Sequence, residues 1–99
     1  MIITMKYYAF IYRYQPDSSL VIDTRPEHRE FIRGLHSAGR ILGSGPLVDA
    51  AGGALIIVQL DSDSSLDQAL ALMDQDPFYA RGAIESRECR EWNPVINSF

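Results

Sequence analysis

The chain has 99 residues, of which 46% are hydrophobic and 22% charged, as in an ordinary soluble globular domain. Its net charge of −4 argues against a surface that neutralises nucleic-acid phosphates, and its one cysteine, Cys89, excludes an internal disulfide. No apolar run approaches the roughly 18 residues of a membrane span, and residues 1–6 lack a secretory signal pattern. We therefore expect a single domain over residues 1–99, located in the cytoplasm, with neither nucleic acid nor a membrane as partner.

The first elements in chain order are a strand and a helix. Residues 6–14 are rich in aromatic and β-branched side chains and predict strand one. The run Thr24-Arg25-Pro26-Glu27 matches a capping box with proline in the first turn, so a helix is expected to begin there. Gly39 is expected to end this helix. Spacings of three and four place one set of side chains on its apolar face: His28, Phe31, Ile32 and Leu35, opposite Arg29, Glu30 and Arg33.

The second half of the chain predicts two strands, a helix and a last strand. Residues 40–47 predict a short edge strand that breaks at Gly45-Pro46, and the apolar run 54–60 predicts a strand buried on both faces. Ser64 or Ser65 is expected to cap a second helix, which must end before Pro77. Residues 77–82 predict one further turn, and residues 84–92 the last strand. The second helix carries an apolar stripe made of Leu66, Ala69, Leu70 and Met73.

This order predicts an α+β fold, a ferredoxin-like β-α-β-β-α-β sandwich with a four-stranded antiparallel sheet and both helices on one face. Strands one and three are apolar on both faces, whereas two helices cover only one face of the sheet. Because extended apolar patches mark interfaces, we expect a homodimer packed through the open sheet face. A small-molecule pocket is expected between sheet, helices and partner.

His28 is the first candidate for chemistry, because an imidazole on the apolar face of a helix changes protonation near neutral pH. A lone histidine in such a position also serves as a hydrogen-bonded structural residue. His36 lies in the last turn of the same helix, where a cation suits the helix dipole, and is interpreted as structural.

Asp76 is the second candidate, because an acidic residue at the end of the second helix opposes the dipole of that helix. Asp followed by Pro77 is also the pattern of an N-cap, so Asp76 alternatively caps the next turn. If both candidates act, the carboxylate would orient the imidazole of His28 and stabilise its protonated form. The pattern leaves open whether they meet.

Other patterns favour structural roles. Two histidines eight residues apart match no familiar zinc spacing, so no metal site is predicted. The run Gly43-Ser44-Gly45-Pro46 matches neither a phosphate-binding loop nor a nucleophile elbow and is interpreted as a turn. The strand-one tyrosines are interpreted as core or interface residues, with a pocket for an aromatic compound as the alternative: Tyr7, Tyr8, Tyr12 and Tyr14.

Several short motifs together resemble the YciI-like, or YCII-related, family of the dimeric α/β-barrel superfamily. They are Arg25-Pro26-Glu27-His28, His36 with Gly39-Arg40-Ile41-Leu42, Gly45-Pro46, Asp76-Pro77-Phe78 and Trp92-Asn93. The family is similar to muconolactone isomerase, which implies the ferredoxin-like fold and a sheet-to-sheet dimer. The resemblance further implies a His-Asp active site, matched here by His28 and Asp76. One branch looks like a dehydrochlorinase of a chlorinated hydroxyquinol, which implies chemistry without a cofactor.

The leading hypothesis is a small enzyme of lyase, isomerase or dehydrochlorinase type, without cofactor, acting on a small aromatic or oxygenated molecule. His28 would abstract or relay a proton and Asp76 would orient it, with Ser44 and Tyr79 as candidate substrate contacts. The alternative is a non-catalytic dimeric domain that binds a small molecule or a partner. A third hypothesis is a monooxygenase without cofactor on the same dimeric barrel, which Asp76-Pro77-Phe78 disfavours.

Overall fold

The chain folds into a four-stranded sheet with helices packed on one side. The computed structural model describes residues 5–99, so part of the N-terminal segment in which no secretory signal was predicted lies outside the described residues. The elements are β1 (Met5–Arg13), α1 (Ser19–Ser37), β2 (Ile41–Pro46), β3 (Ala54–Asp61), α2 (Leu66–Met73), α3 (Pro77–Ala80) and β4 (Ser86–Trp92). Within the described range, no helix is long and apolar enough to cross a membrane.

The strand order is β2-β3-β1-β4, and every neighbouring pair is antiparallel. In this register Phe10 of β1 stands between Ile56 of β3 and Cys89 of β4. Two strands that follow each other in sequence, β2 and β3, pair at one side, whereas β1 and β4 pair from opposite ends of the chain. The predicted α+β, ferredoxin-like arrangement is confirmed, with β2 at the edge as expected for a strand that contains Pro46.

One face of the sheet forms the hydrophobic core with the helices. Alternate side chains along β1 and β3 are buried, as the period of two in a strand requires. The fully buried members are Tyr8, Phe10, Tyr12, Ile56 and Val58. They form one cluster with Val21 and Ile32 of α1 and with Ala69 and Met73 of α2. The aromatic character of strand one is therefore mainly a core feature.

The opposite face, which we call the open sheet face, consists of Tyr7, Ala9, Ile11, Leu55 and Ile57. In a single chain these side chains stay partly or largely accessible, and Leu55 is 40% exposed. The ring of Phe99 lies 6.1 Å from Tyr7, so the end of the chain covers one corner. Strand β3 is thus buried on one face only within one protomer, and the second copy expected over the other face stays a prediction.

Helix α1 begins earlier than predicted, and the interpretation of Thr24 as its cap is wrong. The N-cap is Ser18, whose hydroxyl accepts a hydrogen bond from the Val21 amide at 3.4 Å, and Pro26 lies inside the helix. An interior proline removes one backbone hydrogen bond and costs about 3 kcal/mol in a helix. Burial of Val21, about one turn before the predicted start, offsets that cost. His28 consequently lies in the middle of a 19-residue helix.

The remaining helix ends follow local sequence signals. Gly39 adopts φ +77°, the left-handed conformation that favours glycine after a helix, so the predicted end of α1 is confirmed. Ser65 caps α2 in a reciprocal capping box with Gln68. Leu66 of the predicted apolar stripe is 42% exposed, because it occupies the first turn, at the margin of the buried face.

Candidate functional site

The two sequence candidates, His28 and Asp76, are in contact. His28 lies on the buried face of α1, and Asp76 follows α2 as the residue that begins the short helix α3. The Nδ1 atom of His28 lies 2.8 Å from Asp76 Oδ1 and 2.9 Å from Oδ2. His28 is 8% exposed and Asp76 is 0% exposed, so the carboxylate is shielded from water while the imidazole keeps a small accessible surface. The relationship that the sequence left open is therefore present in the fold.

Asp76 is the centre of a small buried hydrogen-bond network. The hydroxyl of Tyr12, from the core face of β1, donates to Oδ2 at 2.9 Å. The backbone amide of Phe78 donates to Oδ1 at 3.0 Å, which makes Asp76 the N-cap of α3 as well. The capping role considered from the sequence and the contact with His28 thus coexist in one carboxylate. Two donors besides the imidazole suit a buried negative charge, which is costly to leave unpaired.

This network determines which nitrogen of the His28 imidazole carries the proton. An ionised carboxylate only accepts hydrogen bonds, so Nδ1 must donate to Asp76, and the neutral ring then carries its lone pair on Nε2. Tyr12 remains the donor, because burial and the adjacent negative charge of Asp76 raise the pKa of its phenol. Nε2 makes no hydrogen bond with any part of residues 5–99 and is not among their buried unpaired atoms.

The ring of Phe78 fixes the plane of the imidazole. The two rings are stacked, with centroids 4.0 Å apart and planes inclined by 6°. Phe78 is in turn 1% exposed and lies 5.3 Å from the Tyr14 ring. An imidazole that is bonded at one edge and stacked on one face has little freedom to turn, so Nε2 keeps one direction.

His28 borders a cavity of about 310 Å³, called the His28 cavity below. Its walls come from α1, the loop before it, β2, the β2–β3 turn, the start of β3 and α3. They comprise Tyr14, Pro16, Arg25, His28, Arg29, Ile32, Arg33, Ser44, Gly45, Pro46, Leu47, Gly52, Gly53, Ala54 and Phe78. Gly53, at φ +91°, has no room for a side chain, because a Cβ there would lie 2.3 Å from the Tyr12 carbonyl oxygen. The volume suits a molecule the size of one substituted ring.

The two predicted substrate contacts have different positions. Ser44 lines the His28 cavity, and the interpretation of Gly43-Ser44-Gly45-Pro46 as a turn is wrong, because these residues pair with β3 as part of strand β2. Tyr79 does not line it: consecutive residues on the α3 turn point in different directions, and Phe78 takes the cavity side. Tyr79 is 42% exposed and stacks under the Arg87 guanidinium at 3.6 Å. Its assignment as a cavity contact is therefore not supported within one protomer.

Sequence reasoning missed two groups of residues at this site. Tyr12 is predicted as a core or interface residue and lies in the core, but nothing in an aromatic strand marks the one hydroxyl that reaches a distant carboxylate. Arg29 and Arg33 were placed on the helix face opposite the apolar stripe, yet both line the His28 cavity together with Arg25. Their spacing of four residues along α1 was the available signal.

Over the described range, His, Cys, Asp and Glu side chains form no group of three or more that could hold a metal ion. The predicted absence of a cofactor stays a prediction.

The sequence matches a known family of domains. The family model of the YCII-related domain matches residues 5–93, and the chain belongs to that family. The resemblance inferred from the short motifs is thereby confirmed.

A solved structure with a similar fold carries a more specific description. It is the 5-chloro-2-hydroxyhydroquinone dehydrochlorinase of Burkholderia phenoliruptrix AC1100, in complex with 2,5-dihydroxybenzoquinone. The two chains share 20% identity with a TM-score of 0.71, and the match covers 88% of this chain and 93% of that one. At this identity the likeness concerns the fold. Among curated protein sequences no significant match is found.

Proposed function

We propose that the protein is a small enzyme of lyase or isomerase type in which His28 is the general acid–base and Asp76 orients it. The observation that carries this proposal is the contact of Nδ1 with Asp76 at the wall of the His28 cavity, with Nε2 left unpartnered. A base needs a lone pair within reach of the substrate and a second group that stabilises the proton it takes up. The two edges of the His28 ring meet these needs separately.

The proposed chemistry is a proton transfer at Nε2. A C–H or O–H bond of the substrate breaks, the proton joins Nε2, and the electron pair stays on the substrate. In an isomerisation the imidazolium returns the proton to another atom, and in an elimination the electron pair expels a leaving group such as chloride. The Asp76 carboxylate stabilises the imidazolium meanwhile, and Tyr12 holds that carboxylate in place.

The substrate class is inferred from the His28 cavity and from the similar fold. Ile32, Leu47 and Phe78 give the cavity an apolar wall, on which a ring can pack, and Ser44 offers a hydroxyl. The similar structure is described as a dehydrochlorinase of a chlorinated hydroxyhydroquinone, with a quinone bound. We carry the general reaction type to this chain as part of the proposal: acid–base chemistry, without a cofactor, on a small oxygenated ring.

We also propose that two copies pair through the open sheet face, in the cytoplasm. The support is physical: Tyr7, Ile11, Leu55 and Ile57 form an apolar surface that the helices of the same chain leave uncovered. A second copy has the complementary surface by symmetry, since each partner of a two-fold interface presents the same patch.

A second candidate function is a non-catalytic domain that binds a small molecule. Complete burial of Asp76 and its role as the cap of α3 favour this alternative, because both are structural tasks. On this hypothesis His28 and Asp76 form a stabilising hydrogen bond at the wall of a binding pocket.

The test is a turnover screen with wild type and His28→Ala. The panel contains chlorinated di- and trihydroxybenzenes and unsaturated lactones, followed by ultraviolet absorbance and chloride release. We expect turnover of at least one class in the wild type, none in His28→Ala, and full turnover in His36→Ala, which alters an exposed histidine at the end of α1. No turnover by the wild type, or equal turnover by His28→Ala, would overturn the enzyme proposal in favour of the binding domain.

A further inference from the structure

Three arginines stand in a row beside His28. Arg25, Arg29 and Arg33 follow each other at intervals of four along α1, which places them on one side of the helix, and all three line the His28 cavity. No Asp or Glu is among the lining residues. A local excess of positive charge is unexpected in a chain whose net charge is −4.

Within residues 5–99, Arg25, Arg29 and Arg33 form no ion pair. Over residues 5–99, the arginine ion pairs are Arg40–Asp61, Arg81–Glu27 and Arg87–Asp74. Arg25 donates from Nη2 to the Pro16 carbonyl oxygen at 3.1 Å, which holds its guanidinium at the cavity and leaves its other donors free. Like charges four residues apart weaken a helix, so the row does not serve the stability of α1.

The charges act on the interior of the cavity as well as on its rim. Tyr14, one of the lining residues, has its pKa raised by burial, and the charges of Arg25 and Arg29 oppose that rise. Arg29 and Arg33 are exposed and Arg25 is half-buried, so their guanidinium groups stay accessible to a ligand at the rim of the cavity that His28 borders.

We propose that the His28 cavity binds a small organic anion, with its negatively charged oxygens toward Arg25, Arg29 and Arg33 and its apolar body against Phe78 and Ile32. This inference rests on the proposed function, for which it names the substrate class. Guanidinium groups recognise carboxylate and enolate oxygens through charge-assisted hydrogen bonds. The same cations would stabilise the negative charge that develops when His28 removes a proton.

The test compares benzoate with benzamide, two probes of nearly the same shape that differ in charge. Binding is followed by NMR titration, using the backbone signals of Ser44 and Phe78 to locate the probe in the cavity. We expect the wild type to prefer benzoate by about tenfold and to lose that preference as salt screens the charges. Arg29→Gln and Arg33→Gln should each reduce the preference to about threefold or less.

The control is Arg40→Gln, which removes the same charge after the end of α1, outside the cavity lining, and should keep the full preference. Equal binding of the two probes, binding of benzoate away from Ser44 and Phe78, or no binding of either would overturn the proposal. His28→Ala should retain the preference for benzoate. If this variant loses turnover and keeps the preference for benzoate, the acid–base role is separate from anion binding. If the wild type turns over a substrate but shows no preference for benzoate, the anion proposal is contradicted and the enzyme proposal is not.

Discussion

The Nδ1 atom of His28 lies 2.8 Å from Asp76 Oδ1, although 48 positions separate the two residues in the chain. Helix α1 supplies the imidazole and the N-cap of α3 supplies the carboxylate, so the contact forms only when these two helical segments pack against each other. The fold and the candidate chemistry therefore depend on the same buried pair. Substitutions at Asp76 can test the role of its negative charge separately from its role as a helix cap.

Asp76→Asn is expected to lower kcat by about 100-fold or more on any identified substrate, because the neutral amide cannot stabilise the imidazolium of His28. Asparagine is as good an N-cap as aspartate, so α3 should keep its cap and the fold its shape. Steady-state kinetics and circular dichroism of the same preparation measure the two effects. Unchanged kcat in the folded variant would contradict the assigned role of the carboxylate.

Tyr12→Phe is expected to change how stability depends on pH. Burial, followed by the charge of Asp76, raises the pKa of Tyr12 above its ordinary value of 10.0. Above about pH 10 the unfolded chain loses this proton while the folded chain keeps it, so the free energy of unfolding falls as pH rises. Without the phenol, this fall should be smaller by up to about 1.4 kcal/mol per pH unit.

Urea denaturation of wild type and Tyr12→Phe between pH 8 and 11 measures this difference. The comparison uses the slopes of the free energy of unfolding against pH. At neutral pH the variant is also expected to be less stable by about 1–3 kcal/mol, because Asp76 loses one hydrogen-bond donor. Cys89, whose pKa burial raises to about 11, contributes to both slopes alike and cancels. Parallel curves for the two proteins would show that Tyr12 is not held protonated by the fold.

Thr24→Val is expected to stabilise the protein. Thr24 is 1% exposed, and its hydroxyl oxygen has no hydrogen-bond partner in the described part of the chain. A buried hydroxyl without a partner costs about 1–3 kcal/mol, and valine has nearly the same shape and branching. Chemical denaturation should show a higher free energy of unfolding, with Thr24→Ser as the control that keeps the hydroxyl. A destabilised valine variant would mean that the hydroxyl is hydrogen-bonded in solution.

Ile57→Lys is expected to dissociate the proposed dimer, since it places a charge in the middle of the open sheet face. Light scattering should give the wild type twice the 11.1 kDa mass of one chain and the variant the mass of one. Ile22→Lys is the matched control, because Ile22 is 50% exposed on α1, away from this face. A monomeric wild type, or two copies retained in Ile57→Lys, would contradict the assigned interface.

The sequence predicted those parts of the fold that depend on local patterns. The existence of β1 and β3, the glycine after α1 and the serine cap of α2 follow from residues within a few positions of each other. The start of α1 did not follow, because the decision between Ser18 and Thr24 depends on burial of Val21 against the sheet, which outweighs the penalty of Pro26. Local rules carry no information about such tertiary packing.

The candidate site, too, could be predicted from the sequence only in part. His28 and Asp76 were identified from helix faces and helix ends, but their contact needs the packing of two segments. The sequence does not distinguish Tyr12 from the neighbouring tyrosines, because only its position on β1 in the folded sheet brings its hydroxyl to Asp76. Nearness in sequence to the Asp76-Pro77-Phe78 motif favours Tyr79 as a contact, but the turn of α3 directs Phe78 to the cavity in its place.

The carboxylate of Asp76 is proposed to hold the His28 proton on Nδ1 and so to leave the lone pair on Nε2. Long-range proton–nitrogen NMR of the 15N-labelled protein, recorded over a pH series, reads the protonated nitrogen of the neutral ring directly and needs no substrate. We predict a protonated Nδ1 and an unprotonated Nε2 in the wild type, with this preference weakened in Asp76→Asn. A neutral ring protonated on Nε2 would contradict the account, because His28 would then have no lone pair to offer at the cavity.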